Sequence, residues 1–108
     1  MNVKDLIIER TARAYDLTPG ALYQKNRNRD RNLVECRFIT FYFLKRYTGM
    51  TLKDIGLIYR KNHATVLYAV NMVESLMNNN KYFRAKVEDI QAGIDRELSN
   101  EYLSIAQL

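Results

Sequence analysis

Two short helical patterns meet at a polar, basic turn in the segment Leu52-Lys-Asp-Ile-Gly-Leu-Ile-Tyr-Arg-Lys-Asn-His-Ala-Thr-Val-Leu-Tyr-Ala-Val-Asn71. The first pattern begins after Thr51, whose hydroxyl can cap a helix, and it places Asp54 where a carboxylate meets the positive end of the helix dipole. The second begins after Asn62, which is another preferred capping residue. Two helices joined by so tight a turn are typical of a helix-turn-helix.

The second helix of this pair has one apolar face and a polar, cationic beginning. Its apolar residues recur at helical spacing and predict a face turned to the core: Val66, Ala69, Val70, Val73, Leu76 and Met77. This phase leaves its first turn exposed, with Lys61, Asn62, His63, Ala64 and Thr65. Such a helix fits a recognition helix, which presents its N-terminal residues to base edges in the major groove.

Positive charge is concentrated around this motif. The 108 residues carry a formal net charge of +5, and ten of the 17 Lys and Arg residues lie between Lys25 and His63, against three of the 12 acids. A solvated charged face would be the simplest explanation of the net charge alone. The localisation instead favours an acidic partner such as nucleic acid.

Residue types that support catalysis or metal binding are scarce. Cys36 and His63 are the only cysteine and histidine, so neither an intrachain disulfide nor a zinc site can be built from them. The four glycines stand apart from one another and form no phosphate-binding loop. The chain shows no signal peptide and no long apolar span. We therefore expect no enzyme activity, no metal or cofactor, no small-molecule substrate and no membrane partner, and a cytoplasmic, nucleoid-associated location.

Helical periodicity extends along the whole chain and predicts an all-α fold. We expect a single compact domain of about six helices: one from Val3 to about Tyr15, a short one after Thr18-Pro19, a central buried one over Arg31–Tyr47, the two of the helix-turn-helix, and a last one after Asn80. The polar segment 24–32 reads as an exposed basic loop. Residues 1–80 form the predicted DNA-binding domain, and residues 81–108 a C-terminal helix and tail.

The last helix carries an apolar seam with two alternative uses. Its residues recur at spacings of three and four: Phe83, Val87, Ile90, Ile94 and Leu98. The seam could dock on the domain, or it could pair with a second copy as a homodimer. The run is short for a coiled coil, which favours docking.

The motif also carries a family resemblance. Ile55-Gly56, Tyr59 and the run Lys61-Asn-His-Ala-Thr-Val-Leu-Tyr-Ala69 resemble the signature of the C-terminal DNA-binding domain of the bacterial replication initiator DnaA, a helical domain of the Trp-repressor-like superfamily. The likeness covers roughly residues 5–77. It implies sequence-specific binding of double-stranded DNA, at replication-origin-like or regulatory sites.

The resemblance also implies which residues contact DNA. Arg27 in the basic loop corresponds to an arginine inserted into the minor groove, with Arg29 in support. Lys45 and Arg37 correspond to contacts with the phosphate backbone, which set register without reading sequence. The run Lys61–Thr65 corresponds to the residues that enter the major groove. The full set of expected DNA-binding residues is Lys25, Arg27, Arg29, Arg31, Arg37, Lys45, Lys53, Arg60, Lys61, Asn62, His63, Ala64 and Thr65.

The sequence departs from the family pattern at the contact surface. Asn62 replaces an aspartate, Ala64 a hydroxyl residue and Lys53 an apolar residue, while Arg60 stands where the family has a glycine pair, with one residue missing. The basic loop is about two residues longer. Because the Asn62 amide can both donate and accept, it is able to pair in bidentate fashion with adenine. We therefore expect a target site related to, but distinct from, the family's usual box.

The initiator's ATPase would need a Walker motif and a few hundred further residues, which these 108 residues do not contain. The starting Met1 favours a stand-alone module over an excised fragment. Two functions from different classes remain: sequence-specific DNA binding, and a protein-interaction module that acts through its C-terminal helix. The concentration of charge on the loop, the turn and the recognition helix favours the first.

Overall fold

The computed structural model describes residues 2–23 and 31–106, with side chains as far as residue 100. Within these ranges the chain forms α1 (Val3–Ala14), a 3-10 helix (Pro19–Tyr23), α2 (Arg31–Tyr47), α3 (Leu52–Ile58), α4 (His63–Asn79) and α5 (Lys81–Ala106), and it contains no strand. The predicted all-α fold is confirmed. The predicted bounds of the central helix, Arg31–Tyr47, are also those observed.

The core is built around α2, which packs against α1, α4, α3 and the 3-10 helix. The sequence explains this position, because apolar side chains cover most of the circumference of α2. Its Ile39, Phe41, Phe43 and Leu44 are completely buried. Cys36 is buried as well and is free, and this burial raises the pKa of its thiol to about 12.

Helix α5 lies against α1 and α4. The seam residues Phe83, Val87, Ile90 and Ile94 are buried in the same core as α2, and Leu98 packs against that core while partly buried. In this structure the seam is therefore covered by the chain's own helices.

Polar contacts accompany this apolar packing of α5. The Arg10 guanidinium on α1 donates to Glu97, and the Tyr47 hydroxyl on α2 donates to Asp95. These contacts join α5 to two other helices.

None of the helices that the structure describes is long and apolar enough to cross a membrane.

Candidate nucleic-acid interface

Both helices of the helix-turn-helix begin at the caps that the sequence predicts. The Thr51 hydroxyl accepts a hydrogen bond from the Asp54 N–H at 3.1 Å, and Asn62 Oδ1 accepts one from the Thr65 N–H at 2.9 Å. Each bond satisfies an amide that the helix itself leaves unpaired. The caps therefore fix where α3 and α4 start, and with them which residues occupy the first turn of α4.

The turn between the two helices depends on a close approach of the backbone at Gly56. The Lys61 N–H donates to the Gly56 carbonyl at 2.8 Å, and the Lys61 carbonyl oxygen would lie 2.2 Å from a Cβ at position 56. Arg60, between them, has a φ of 57°. This is a C-terminal helix cap with its left-handed position filled by arginine, where glycine is usual. Holding a side chain in this conformation costs about 1 kcal/mol.

The first turn of α4 is open to solvent. Asn62, His63 and Ala64 are exposed, whereas Lys61 and Thr65 are half-buried. Val66, Ala69, Val70 and Val73 are buried, as expected from their spacing. Tyr68 and Asn71 follow Ala64 at helical spacing, so the three residues lie on one face of α4, and all three are exposed.

The Asn62 side chain is already engaged within α4. Its Oδ1 accepts from both the Thr65 N–H and, at 3.2 Å, the Thr65 hydroxyl. A carbonyl oxygen has two lone pairs, so no acceptor capacity is left for adenine. The bidentate pairing with adenine that we expected from the sequence would therefore require the Thr65 hydroxyl to release this oxygen. Only the amide nitrogen of Asn62, a donor, remains to meet a base.

Four of the expected cationic contacts lie on the surface without an acidic partner. Lys45, Lys53 and Arg60 are exposed and Lys61 is half-buried. None of the ion pairs among residues 2–23 and 31–100 involves any of the four. Their charges are thus not neutralised by neighbouring carboxylates of the described chain. Arg31 is likewise exposed, at the first residue of α2.

Arg37 occupies a different place from the one its resemblance implies. The residue is only 5% exposed, and its Nε and a terminal guanidinium nitrogen donate to the Leu22 carbonyl at 3.1 and 2.9 Å. Burial lowers the pKa of this guanidinium from its usual value. The expected phosphate contact is therefore corrected: in this structure Arg37 holds the 3-10 helix on α2.

The expected minor-groove residues Lys25, Arg27 and Arg29 lie outside the described residues. Tyr23, which immediately precedes the polar segment 24–32, is described. The ring of Tyr23 packs on the ring of Tyr59, with centroids 4.9 Å apart, and Tyr59 in turn packs on Phe41 at 5.4 Å. Tyr59 is the C-cap residue of α3. Tyr23 therefore lies beside the turn that joins α3 to α4.

Large apolar side chains on the surface of the motif were missed from the sequence. Leu57 on α3 and Leu67 and Tyr68 on α4 are between 46% and 66% exposed. Helical phase could have revealed Tyr68, because it lies opposite the face marked by Val66 and Val70.

An all-helical fold with a capped helix-turn-helix and unpaired cations in its turn is typical of a class of DNA-binding domain. The family model described as the bacterial DnaA protein helix-turn-helix matches residues 4–73. The chain therefore belongs to this family, and its membership supports DNA binding.

Curated relatives agree with this assignment. The chain is 35% identical to the chromosomal replication initiator protein DnaA of Bacteroides thetaiotaomicron over 89 residues, which cover 82% of the chain and 18% of that protein. It is 34% identical to the DnaA protein of Bacteroides fragilis over 98 residues, 89% of the chain and 20% of that protein. The chain thus spans at most about a fifth of the length of these relatives.

Proposed function

We propose that this protein binds double-stranded DNA in a sequence-specific manner, with the first turn of α4 in the major groove. The observation that carries this proposal is the exposed start of α4, with His63 and Ala64, directly after the unpaired cations Arg60 and Lys61 of the turn. Two further unpaired cations are Lys53 on α3 and Lys45 at the end of α2. Small and polar side chains at the start of α4 can reach base edges, while these cations can meet phosphates.

The basic segment would add a second contact. Lys25, Arg27, Arg29 and Arg31 are proposed to meet the adjacent minor groove and its phosphates, with Arg27 inserted into the groove. A narrow A·T-rich minor groove has an enhanced negative potential that attracts a guanidinium. The packing of Tyr23 on Tyr59 supports this arrangement, because it places the last described residue before the segment beside the helix-turn-helix.

The relatives suggest the biological setting. They are named chromosomal replication initiator proteins. We propose that this chain occupies replication-origin-like or regulatory sites on the bacterial nucleoid, as a binding module without catalytic activity. A role as a protein-interaction module through α5 is the alternative, but the burial of its seam gives that alternative no support.

Lys45 tests the phosphate contact. Changing Lys45 to alanine should weaken binding to all duplexes alike and lower the slope of log K against log salt by about one unit, because one fewer counterion is released. Affinity would be measured by fluorescence anisotropy at several salt concentrations, with a duplex selected from a random pool and with a scrambled one.

Lys81→Ala is the matched control for Lys45. Lys81 is exposed on α5, beyond the far end of α4 and roughly 25 Å from its first turn at the usual helical rise. Its loss should leave the salt slope unchanged. An unchanged affinity and slope for Lys45→Ala would remove Lys45 from the interface.

Asn62 tests the base contact. Asn62→Asp preserves the Oδ1 cap but turns the free amide donor into an acceptor. We expect preference at the facing base pair to change by about 1–3 kcal/mol. The measurement is a competition between the family's usual box and its single-base variants. Helix stability should hold or rise, because a carboxylate at the helix start gains about 0.3–1 kcal/mol from the dipole.

Asn78→Asp adds the same charge near the other end of α4 and should not alter the ranking of duplexes. Asn62→Ala should cost about 1 kcal/mol of stability through loss of the cap. An identical ranking for the original protein and Asn62→Asp would mean that Asn62 serves only as a cap.

A further inference from the structure

Tyr68 stands out on the surface of α4. Its ring is large, yet the residue is 56% exposed. It lies four residues after Ala64, so the two side chains are neighbours on the same face of the helix. Tyr68 therefore lies one turn further along the surface that we propose enters the major groove.

The ring of Tyr68 is held by an aromatic contact. Phe38 on α2 meets it edge to face, with centroids 6.0 Å apart and an interplanar angle of 84°. This is a favoured geometry for aromatic pairs. A ring fixed in this way loses little conformational entropy when its hydroxyl engages a ligand. The hydroxyl itself takes part in none of the hydrogen bonds found among the residues that the structure describes.

Because Tyr68 contacts Phe38, the position of Phe38 on α2 shows that Tyr68 lies on the side of the domain that carries Lys45. Phe38 precedes Lys45 by seven residues, or about two turns, so both lie on the same side of α2. Lys45 is exposed and is the phosphate contact proposed above. Tyr68 thus borders the same side of the groove, beyond the first turn of α4, where the DNA backbone rather than a base edge is within reach.

We propose that Tyr68 is a further DNA-contacting residue, whose hydroxyl donates a hydrogen bond to a phosphate oxygen at the edge of the major groove. The inference rests on the proposed function. Tyrosine hydroxyls are among the side chains that contact phosphates in protein–DNA complexes. The contact is neutral, so it sets the register of α4 on the duplex without releasing a counterion.

Tyr68→Phe tests this contact, because it removes the hydroxyl and keeps the ring against Phe38. Binding should weaken about three- to tenfold, as expected for one neutral hydrogen bond. The loss should be equal on the selected duplex and on a scrambled one. The slope of log K against log salt should stay at the original value, in contrast to Lys45→Ala. Anisotropy titrations with the full chain at 50, 100 and 200 mM salt measure all three quantities.

Tyr82→Phe is the matched control. Tyr82 is more exposed than Tyr68, but it lies on α5 beyond the end of α4. Removal of its hydroxyl should therefore leave DNA affinity unchanged. The proposal would be overturned if Tyr68→Phe bound DNA as tightly as the unmodified protein does. It would also be overturned if affinity fell only for the selected duplex, because that result would mean a base contact. If the unmodified protein binds no duplex, the proposed function fails. If the unmodified protein binds DNA and Tyr68→Phe binds it equally well, only the inference about Tyr68 fails.

Discussion

Replacing Gly56 by alanine is expected to lower the free energy of unfolding by about 3 kcal/mol, since an added methyl cannot be accommodated without moving backbone. The new Cβ would lie 2.2 Å from the Lys61 carbonyl oxygen. That oxygen belongs to the turn and cannot rotate away as a flexible side chain would. Against a total stability of about 5–15 kcal/mol for a domain of this kind, such a loss is readily measured by urea unfolding.

Gly93→Ala is the matched control for this substitution. Gly93 lies inside α5, and a Cβ there would meet no atom within 4 Å. Alanine should therefore stabilise the protein by about 1 kcal/mol through its better helix propensity. The free energy of unfolding should therefore fall in Gly56→Ala and rise in Gly93→Ala. If Gly56→Ala also stabilised the protein, the close approach of the turn to α3 would not exist in solution.

The same substitution should also affect DNA binding under conditions where the variant stays folded. Relief of the clash requires the turn to move away from α3, and the turn positions Arg60, Lys61 and the first residue of α4. A displacement of about 1 Å in such groups is enough to impair a positioned site. Affinity of Gly56→Ala for a selected duplex should therefore fall, while Gly93→Ala should bind as the unmodified protein does.

The sequence predicted those parts of the fold that depend on local signals. The caps at Thr51 and Asn62 are recognised because the capping side chain and the amide it satisfies are only three residues apart. The bounds of α2 followed from an uninterrupted apolar pattern that stops before Thr48-Gly49. Neither inference requires knowledge of the rest of the molecule.

The intramolecular contacts of Arg37 and of the Asn62 oxygen could not be predicted in full from the sequence, because residue type does not specify them. An arginine on a basic stretch suggests a phosphate contact, yet the Leu22 carbonyl that Arg37 binds is fifteen residues away, on another element. Asn62 was correctly predicted as a cap and separately assigned a base contact. The two roles compete for the same oxygen, which only the three-dimensional arrangement reveals.

The two uses of the α5 seam could not be separated from the sequence, because a stripe of apolar residues fits a neighbouring helix of its own chain as well as a second copy. In the structure Ile94 is completely buried between α5 and the rest of the core. We propose that this intramolecular packing also holds in solution. It predicts a large stability effect that is independent of protein concentration.

Ile94→Ala should lower the free energy of unfolding by about 2–5 kcal/mol, because it removes buried methyl and methylene groups and leaves a cavity. Tyr82→Ala, at the most exposed large apolar side chain that the structure describes on α5, should change stability by no more than about 0.5 kcal/mol. Both variants and the unmodified protein would be unfolded thermally over a hundredfold range of protein concentration. In a docked monomer each melting temperature is constant over this range, whereas a dimer through the seam would melt at higher temperature as concentration increases. A concentration-dependent melting temperature in the unmodified protein, abolished by Ile94→Ala, would replace intramolecular docking by a homodimer.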